Sequence, residues 1–312
     1  MPDFDSARWR FYASEDVEIS GKTKLYGIMG YPVAHSLSPL FQSLFLRQHE
    51  MDAVYVPFHV APEDVEKALD GLWAIGVEGF NVTVPHKETV FRRVIADEDA
   101  RCIGAVNTVR RSEQGWQATN TDWRGFADVL AGLGADMKGG EALMFGAGGT
   151  ARAMLHTLAR LGLRRLYVCN RNASRLDEFL EHAGRTYPGL ECVPVAWEQD
   201  AVSDACSRPM LLVNATSIGL DDPAQAFPFA LAGGGLAVDA VYTRDGVTPF
   251  GAAATQAGRK AVDGLPMLIA QGAASFAYWH TDTAPDRISA LQWIGQRLGR
   301  EDLSLPGWEG SA

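Results

Sequence analysis

From residue 24 onward the chain alternates between two hydrophobic rhythms. Strand-like runs at 24–30 (KLYGIMG), 54–60 (VYVPFHV), 79–84 (GFNVTV) and 105–110 (AVNTVR) are separated by segments with helical spacing. SPLFQSLFLRQHE and PEDVEKALDGLWAIG are two of these, the second setting Val65, Ala68, Leu69 and Leu72 at helical intervals. Strand and helix in turn predict an α/β layer with mostly parallel pairing. A second series follows the helical stretch GFADVLAGLGADMKGG: the strand EALMF, a glycine turn, the helix TARAMLHTLARLG, and the strands RRLYVCNR, MLLVNATSIGL and GLAVDAVY. Two last helical patterns, MLIAQGAASFAYWH and DRISALQWIGQRLG, are too little for a domain and predict a return to the first one. The predicted class is α/β with two domains. An arm over 1–23 precedes a discontinuous first domain over 24–124 and 262–312, into which a second domain over 125–261 is inserted.

Composition narrows the function classes. A length of 312 residues suits two domains, and 47% hydrophobic with 21% charged residues describes a globular chain. A net charge of −10 without a dense Lys/Arg block excludes nucleic acid and an anionic membrane as expected partners. The N-terminal stretch lacks the apolar core of a signal peptide and reads as a tail or packing arm, with Trp9 and Phe11 as anchors. No run of about 18 apolar residues offers a membrane span. Cys102, Cys169, Cys192 and Cys206 form no CxxC pair or zinc spacing, so reduced thiols in a cytoplasmic protein and no metal are expected.

Candidate chemistry gathers at the ends of the predicted strands. GAGGTA at 146–151 follows a strand and precedes a helix, where Gly146, Ala147, Gly148 and Gly149 bring backbone to a pyrophosphate at the helix N-terminus. A structural glycine turn is the plainer alternative. At the end of the next strand, an NAD-selective site would carry Asp or Glu, yet this chain has Asn170 and Arg171. A guanidinium suits a 2'-phosphate, with Arg175 near enough to join it, which favours NADP over NAD. Two arginines on a solvated helix start are the bland reading.

In NVTVPHK, Pro85 stops the strand and Lys87 falls at a helix start, an unfavourable place for a cation unless something negative faces it. Ser36 and Ser38 in GYPVAHSLSPL suit a small carboxylate or a plain N-cap, and His35 beside them reads as an ordinary histidine. Asn107 interrupts an apolar strand; Asp122 is either a helix N-cap or, with Lys87 and Asn107, part of a site at the carboxyl ends of the strands.

The ordered motifs HSLSP, NVTVPHK, GAVNTV, NTD, GAGGTARA, NR, VNATSIGL, VDAVY, TPF and GLPMLIAQGAASFAYW resemble the shikimate dehydrogenase family, which includes quinate/shikimate dehydrogenases. The resemblance covers about residues 24 to 300. It implies an N-terminal α/β substrate domain, a Rossmann-like NADP domain, and NADPH-dependent reversible reduction of 3-dehydroshikimate to shikimate in the cleft between them. On matching positions it assigns Ser36 and Ser38 to the substrate carboxylate, and Thr83, Asn107, Tyr242 and Gln271 to the ring and its hydroxyls. Lys87 and Asp122 become the catalytic pair, and Thr216, Ser217, Gly264 and Met267 line the cofactor cleft. Burial and a helix start favour a neutral lysine amine, and a neighbouring aspartate opposes them, so the pair can give or take a proton.

Three departures from the family's usual pattern stand out. Trp123 and Arg124 precede the glycine that usually follows NTD directly, which predicts a narrowed pocket or an altered backbone beside Asp122. Phe41 and Gln42 replace a common Met-His pair, and VYTRDGVTPF lacks a proline after the tyrosine. Quinate and an amino analogue of shikimate are the alternative substrates, and a catalytically silent NADPH-binding regulator is the alternative class. A small-molecule substrate and a monomer or homodimer complete the expectation.

Overall fold

The computed structural model describes residues 19–207, 211–220, 222, 224–300 and 303–308, so Trp9 and Phe11 of the proposed arm lie outside the described residues. Two six-stranded sheets carry the fold. In the first, β1 (Lys24–Gly30), β2 (Ala53–His59) and β3 (Val77–Val82) are parallel, with α1 (Ser38–Gln48) and α2 (Val65–Ala74) as their connections. Beyond α3 (Lys87–Phe91) the sheet adds β4 (Ile95–Ala96), and beyond α4 (Glu98–Ile103) it adds β5 (Thr108–Ser112) and β6 (Gly115–Thr119). Its order is β2-β1-β3-β5-β6-β4, and β5 runs antiparallel to both neighbours.

The expected strand at 105–110 therefore begins only at Thr108, and Asn107 sits before it. This corrects the placement of Asn107 at a strand's carboxyl end. It reaches the same sheet edge all the same, because an antiparallel strand starts where its parallel neighbours finish. β4, with two residues, carries too few for its alternation to show in the sequence.

The second sheet follows α5 (Asp122–Gly132). β7 (Glu141–Phe145), α6 (Gly149–Arg160), β8 (Arg165–Cys169), α7 (Ala173–Thr186), β9 (Glu191–Val195), α8 (Gln199–Cys206), β10 (Leu211–Asn214), β11 (Leu236–Asp239), α9 (Pro249–Gln256) and β12 (Lys260–Val262) succeed one another. All six strands are parallel, in the order β12-β11-β10-β7-β8-β9. The strand order reverses between β7 and β10, and that switch point is where open α/β sheets leave a crevice for ligands. The edge strand β9 carries Pro194, which only an edge tolerates and which hides it from sequence reading.

The chain then returns to the first sheet through α10 (Leu265–Trp279) and α11 (Arg287–Leu298). Close approach of backbones makes the return possible. A Cβ on Gly125 of α5 would lie 2.9 Å from Gln271 N and Met267 O of α10. One on Gly272 would collide with the buried ring of Phe41, while Gln42 Nε2 donates to Gly272 O at 2.9 Å. Phe41 and Gln42 thus jointly seat α1 on α10, a packing reason for that departure from the family pattern. Trp279 Nε1 donates to Val109 O at 2.9 Å and closes the return onto β5.

Replacing Gly272 by Ala should force Phe41 off its seat and destabilise the protein by about 1–3 kcal/mol. Thermal unfolding reads this directly, and an unchanged Tm would mean that α1 and α10 are not in such close contact.

Candidate active site

Lys87 opens α3, five residues past the end of β3, and Asp122 opens α5 after β6. Their side chains meet: Lys87 Nζ donates to Asp122 Oδ2 at 2.5 Å, with side-chain exposures of 11% and 6%. A pair so shielded is stable only if its other polar atoms are also satisfied. Asp122 Oδ1 accepts from Asn107 Nδ2 at 2.8 Å, and the Asp122 backbone N–H donates to Asn120 Oδ1 at 3.0 Å. The Asn107 amide cannot be turned over, because its Oδ1 accepts from the Thr121 backbone N–H at 2.7 Å. Its NH2 must then face Asp122 and Gln271 Oε1, the latter at 3.0 Å.

Beneath this layer lies a buried polar network that sequence reasoning did not single out. Asn81 Nδ2 donates to Asn107 O at 3.0 Å and to Ser275 Oγ at 2.9 Å, and Tyr55 donates to Asn81 Oδ1 at 2.7 Å. Ser275 Oγ lies 2.9 Å from Thr121 Oγ1 and 2.7 Å from Thr108 Oγ1. The polar residues in otherwise apolar runs were the available signal, but their partners are up to 194 positions apart.

Ser36 lies on the loop that feeds α1 and Ser38 is the first residue of that helix, its N–H donating to Ser36 Oγ at 3.2 Å. Tyr242, from the loop after β11, reaches this loop from the other sheet, with the Leu37 N–H donating to its hydroxyl at 3.4 Å. Burial pushes the Tyr242 phenol up to about 12, so it remains neutral and keeps both donor and acceptor capacity.

On the opposite wall, Gly146 follows β7 with φ +109°, a conformation that favours glycine, and a Cβ there would lie 2.7 Å from Ala215 O. Gly148 precedes α6 without a side-chain cap, and its Cβ position is open to the cleft with nothing within 4 Å. The first N–H groups of α6 thus face a space shaped for an anion. Arg171 follows β8, exposed and without an ion pair among the described residues, as a 2'-phosphate ligand would be. Arg175 is instead engaged with Glu88 at 3.2 Å, across the cleft mouth. An open glycine cradle, an uncapped helix start and an unpaired guanidinium together fit NADP.

A buried clasp holds the remaining cofactor-side loop. Asn214 Oδ1 accepts from Thr216 Oγ1 at 2.6 Å, and Asn214 Nδ2 donates to Asp239 Oδ1 at 2.8 Å. Asp239 also accepts from Thr248 Oγ1 at 2.6 Å and from the Val241 N–H at 2.9 Å. One aspartate thereby fixes the loops bearing Thr216 and Tyr242.

The site residues expected from the sequence line a single cleft of about 790 Å³, within the range of small-molecule sites. It brings together Ser36, Ser38, Thr83, Lys87, Asn107, Asp122, Tyr242 and Gln271 with Gly146, Ala147, Gly148, Gly149, Asn170, Arg171, Arg175, Thr216, Ser217, Gly264 and Met267. Asn81, Glu88 and Thr150 also line it, although the sequence did not mark them. Among the described residues no group of three His, Cys, Asp or Glu side chains could hold a metal ion.

Trp123 does not narrow this cleft, contrary to the sequence expectation. Its ring packs at 5.2 Å against His156 of α6, beside Ile103, Ala105 and Ala153, with Arg124 and Arg160 over it at 5.1 and 5.0 Å. Successive helical residues point about 100° apart. With Asp122 aimed into the cleft, Trp123 is turned towards α4 and α6.

Burial pushes Asp239 from 3.8 up to about 7, against the hydrogen bonds from Thr248, Val241 and Asn214. Between these values the folded protein holds a proton that the unfolded chain has lost. This contribution to stability is therefore full below the lower value, falls as pH rises through the window, and levels off above it. Urea unfolding across pH 4–7 should show a decline with pH that Asp239→Asn flattens; parallel curves for the two proteins would contradict the assignment.

Comparison with known proteins places this geometry. Residues 28–109 match the family model described as the shikimate dehydrogenase substrate binding domain. A shikimate dehydrogenase (NADP(+)) from Crocosphaera subtropica is 39% identical over 268 residues, covering 84% of this chain and 92% of that protein. The crystal structure of shikimate dehydrogenase from Aquifex aeolicus matches with a TM-score of 0.77 and 33% identity, covering 91% of this chain and 100% of its own. The shikimate 5-dehydrogenase of Thermus thermophilus, solved with NADP(H) and shikimate, matches with a TM-score of 0.73 and 34% identity over 88% of this chain and 99% of its own. With likeness in both sequence and fold over most of its length, the chain belongs to the shikimate dehydrogenase family.

Proposed function

We propose that this chain is an NADP-dependent shikimate dehydrogenase, interconverting 3-dehydroshikimate and shikimate in the cleft between the two sheets. The observation that carries the reading is the Lys87–Asp122 contact, placed between the Ser36–Ser38 loop and the glycine turn. Ser36 and Ser38 hold the substrate carboxylate, while Thr83, Asn107, Tyr242 and Gln271 orient the ring through its hydroxyls. NADPH, when bound, supplies the hydride for the carbonyl carbon. Gly146, Ala147, Gly148, Gly149 and the start of α6 hold its pyrophosphate. Arg171 takes the 2'-phosphate, joined by Arg175 once it leaves Glu88, beside Asn170. Thr216, Ser217, Gly264 and Met267 frame the nicotinamide end.

As negative charge develops on the carbonyl oxygen, Lys87 delivers a proton to it from Nζ. Asp122 orients the ammonium for this step, and the neutral amine left behind regains a proton from solvent. In the oxidative direction the same pair accepts the hydroxyl proton. The substrate half is formed by 24–124 and 262–312 and the cofactor half by 125–261. Four free cysteines suit a reducing, cytoplasmic setting, in which we place the enzyme as a monomer or homodimer; among the described residues no helix is long and apolar enough to cross a membrane.

Following reduced nicotinamide absorbance with shikimate and quinate, each with NADP and NAD, should give the highest kcat/KM for shikimate with NADP. Silence with every hydroxy acid despite NADPH binding would favour a regulator. Lys87→Ala should lower kcat by about 10²–10⁴-fold; near-normal turnover with weakened substrate binding alone would remove the proton-transfer role. Arg171→Ala should reduce kcat/KM for NADP about tenfold or more while sparing NAD, given the strength of a charge-assisted contact. Equal losses with both cofactors would show that Arg171 does not read the 2'-phosphate.

A further inference from the structure

Lys87 has two partners, and they come from opposite walls. Besides Asp122, its Nζ donates to Thr150 Oγ1 at 3.2 Å. Thr150 is the second residue of α6, and the preceding Gly149 is so close that a Cβ on it would lie 3.2 Å from Lys87 Cβ. The lysine is therefore packed directly against the start of the cofactor-side helix.

The threonine has no local reason to be there. The N-cap of α6 is Gly148, without a side-chain cap, so the Thr150 hydroxyl has no capping duty. A β-branched residue also serves a helix less well than alanine. Among the described residues Lys87 is the sole side-chain partner of Thr150.

An ammonium has three N–H groups in tetrahedral arrangement. Held by Asp122 alone, it would turn about its Cε–Nζ bond. A second acceptor stops that rotation and fixes the direction of the third N–H.

We propose that Thr150 is a positioning residue for proton transfer, locking the Lys87 ammonium so that its third N–H is directed at the substrate oxygen. The lock is assembled from both halves of the molecule, since Asp122 belongs to the first connection between the sheets and Thr150 to the glycine turn's helix. It is complete only when the two walls stand together, which ties proton delivery to the closed cleft. This rests on the reading of Lys87 as the group that delivers the proton.

The test compares Thr150→Ala, Thr150→Val and Thr150→Ser with the unaltered protein in two ways. Steady-state turnover should show kcat about tenfold lower for Ala and Val, with KM for shikimate changed less than about twofold, and Ser restored to within about twofold of normal. In ligand-free protein, modification of Lys87 by an amine-directed reagent at fixed pH, followed by peptide mass spectrometry, should run several-fold faster in Ala and Val than in Ser or the unaltered chain. Normal kcat in Thr150→Ala, or a loss that Ser does not recover, would overturn the proposal, as would equal modification rates in all four proteins. If the unaltered protein did not turn over shikimate at all, the functional reading would fail, while the modification rates would still decide whether Thr150 tethers the lysine.

Discussion

Everything in the cleft depends on keeping two opposite charges together where little water reaches them. Removing a lysine and an aspartate from water is costly, and their mutual attraction offsets that cost only when further hydrogen bonds serve the remaining atoms. Here Asn107 serves the aspartate and Thr150 the lysine. Asn107 is in turn held by the Thr121 backbone and backed by Asn81 and Ser275. The polar core of the first sheet is therefore a support for one contact, and its members lie on β3, β5, α5 and α10 because that contact must be fixed from several sides.

The connections between the sheets explain how such a contact survives at a boundary. The first, α5, begins with Asp122 itself, and the second leads from β12 through Asp263 and Gly264 into α10. Arg300, just past α11, pairs with Asp263 through contacts of 2.7 and 3.2 Å, while burial raises and the arginine lowers the proton affinity of that carboxyl. At the far end of α5, Leu305 and Trp308 pack on Gly132, where a Cβ would lie 2.5 Å from Leu305 Cδ2. The C-terminal segment thus braces both connections, giving a packing role to residues beyond the last predicted helix.

Much of this was legible in the sequence because local rules governed it. The glycine turn, the strand before it and the helix after it are set by neighbours, as are the proline stop and the helix start that expose Lys87. Shared placement at strand ends was also readable for Lys87 and Asp122. The antiparallel course of β5 was not, since alternation reports which face is buried and says nothing of direction, and Asn107 was misplaced for that reason. The direction of Trp123 could have been read from helical phase once Asp122 was aimed at the cleft. Asn81, Ser275 and Thr150 were hidden because each is defined by a partner distant in sequence, and the Arg175–Glu88 pair joins helices from different sheets.

A double-mutant cycle on Lys87 and Asp122 tests the central claim most directly. Single-turnover hydride transfer would be measured for Lys87→Ala, Asp122→Asn and the double variant. If the two act as one unit, the double variant should be about as slow as the slower single one, with a coupling on the order of 1–3 kcal/mol. Losses that simply add would mean that the 2.5 Å contact has no part in the chemistry.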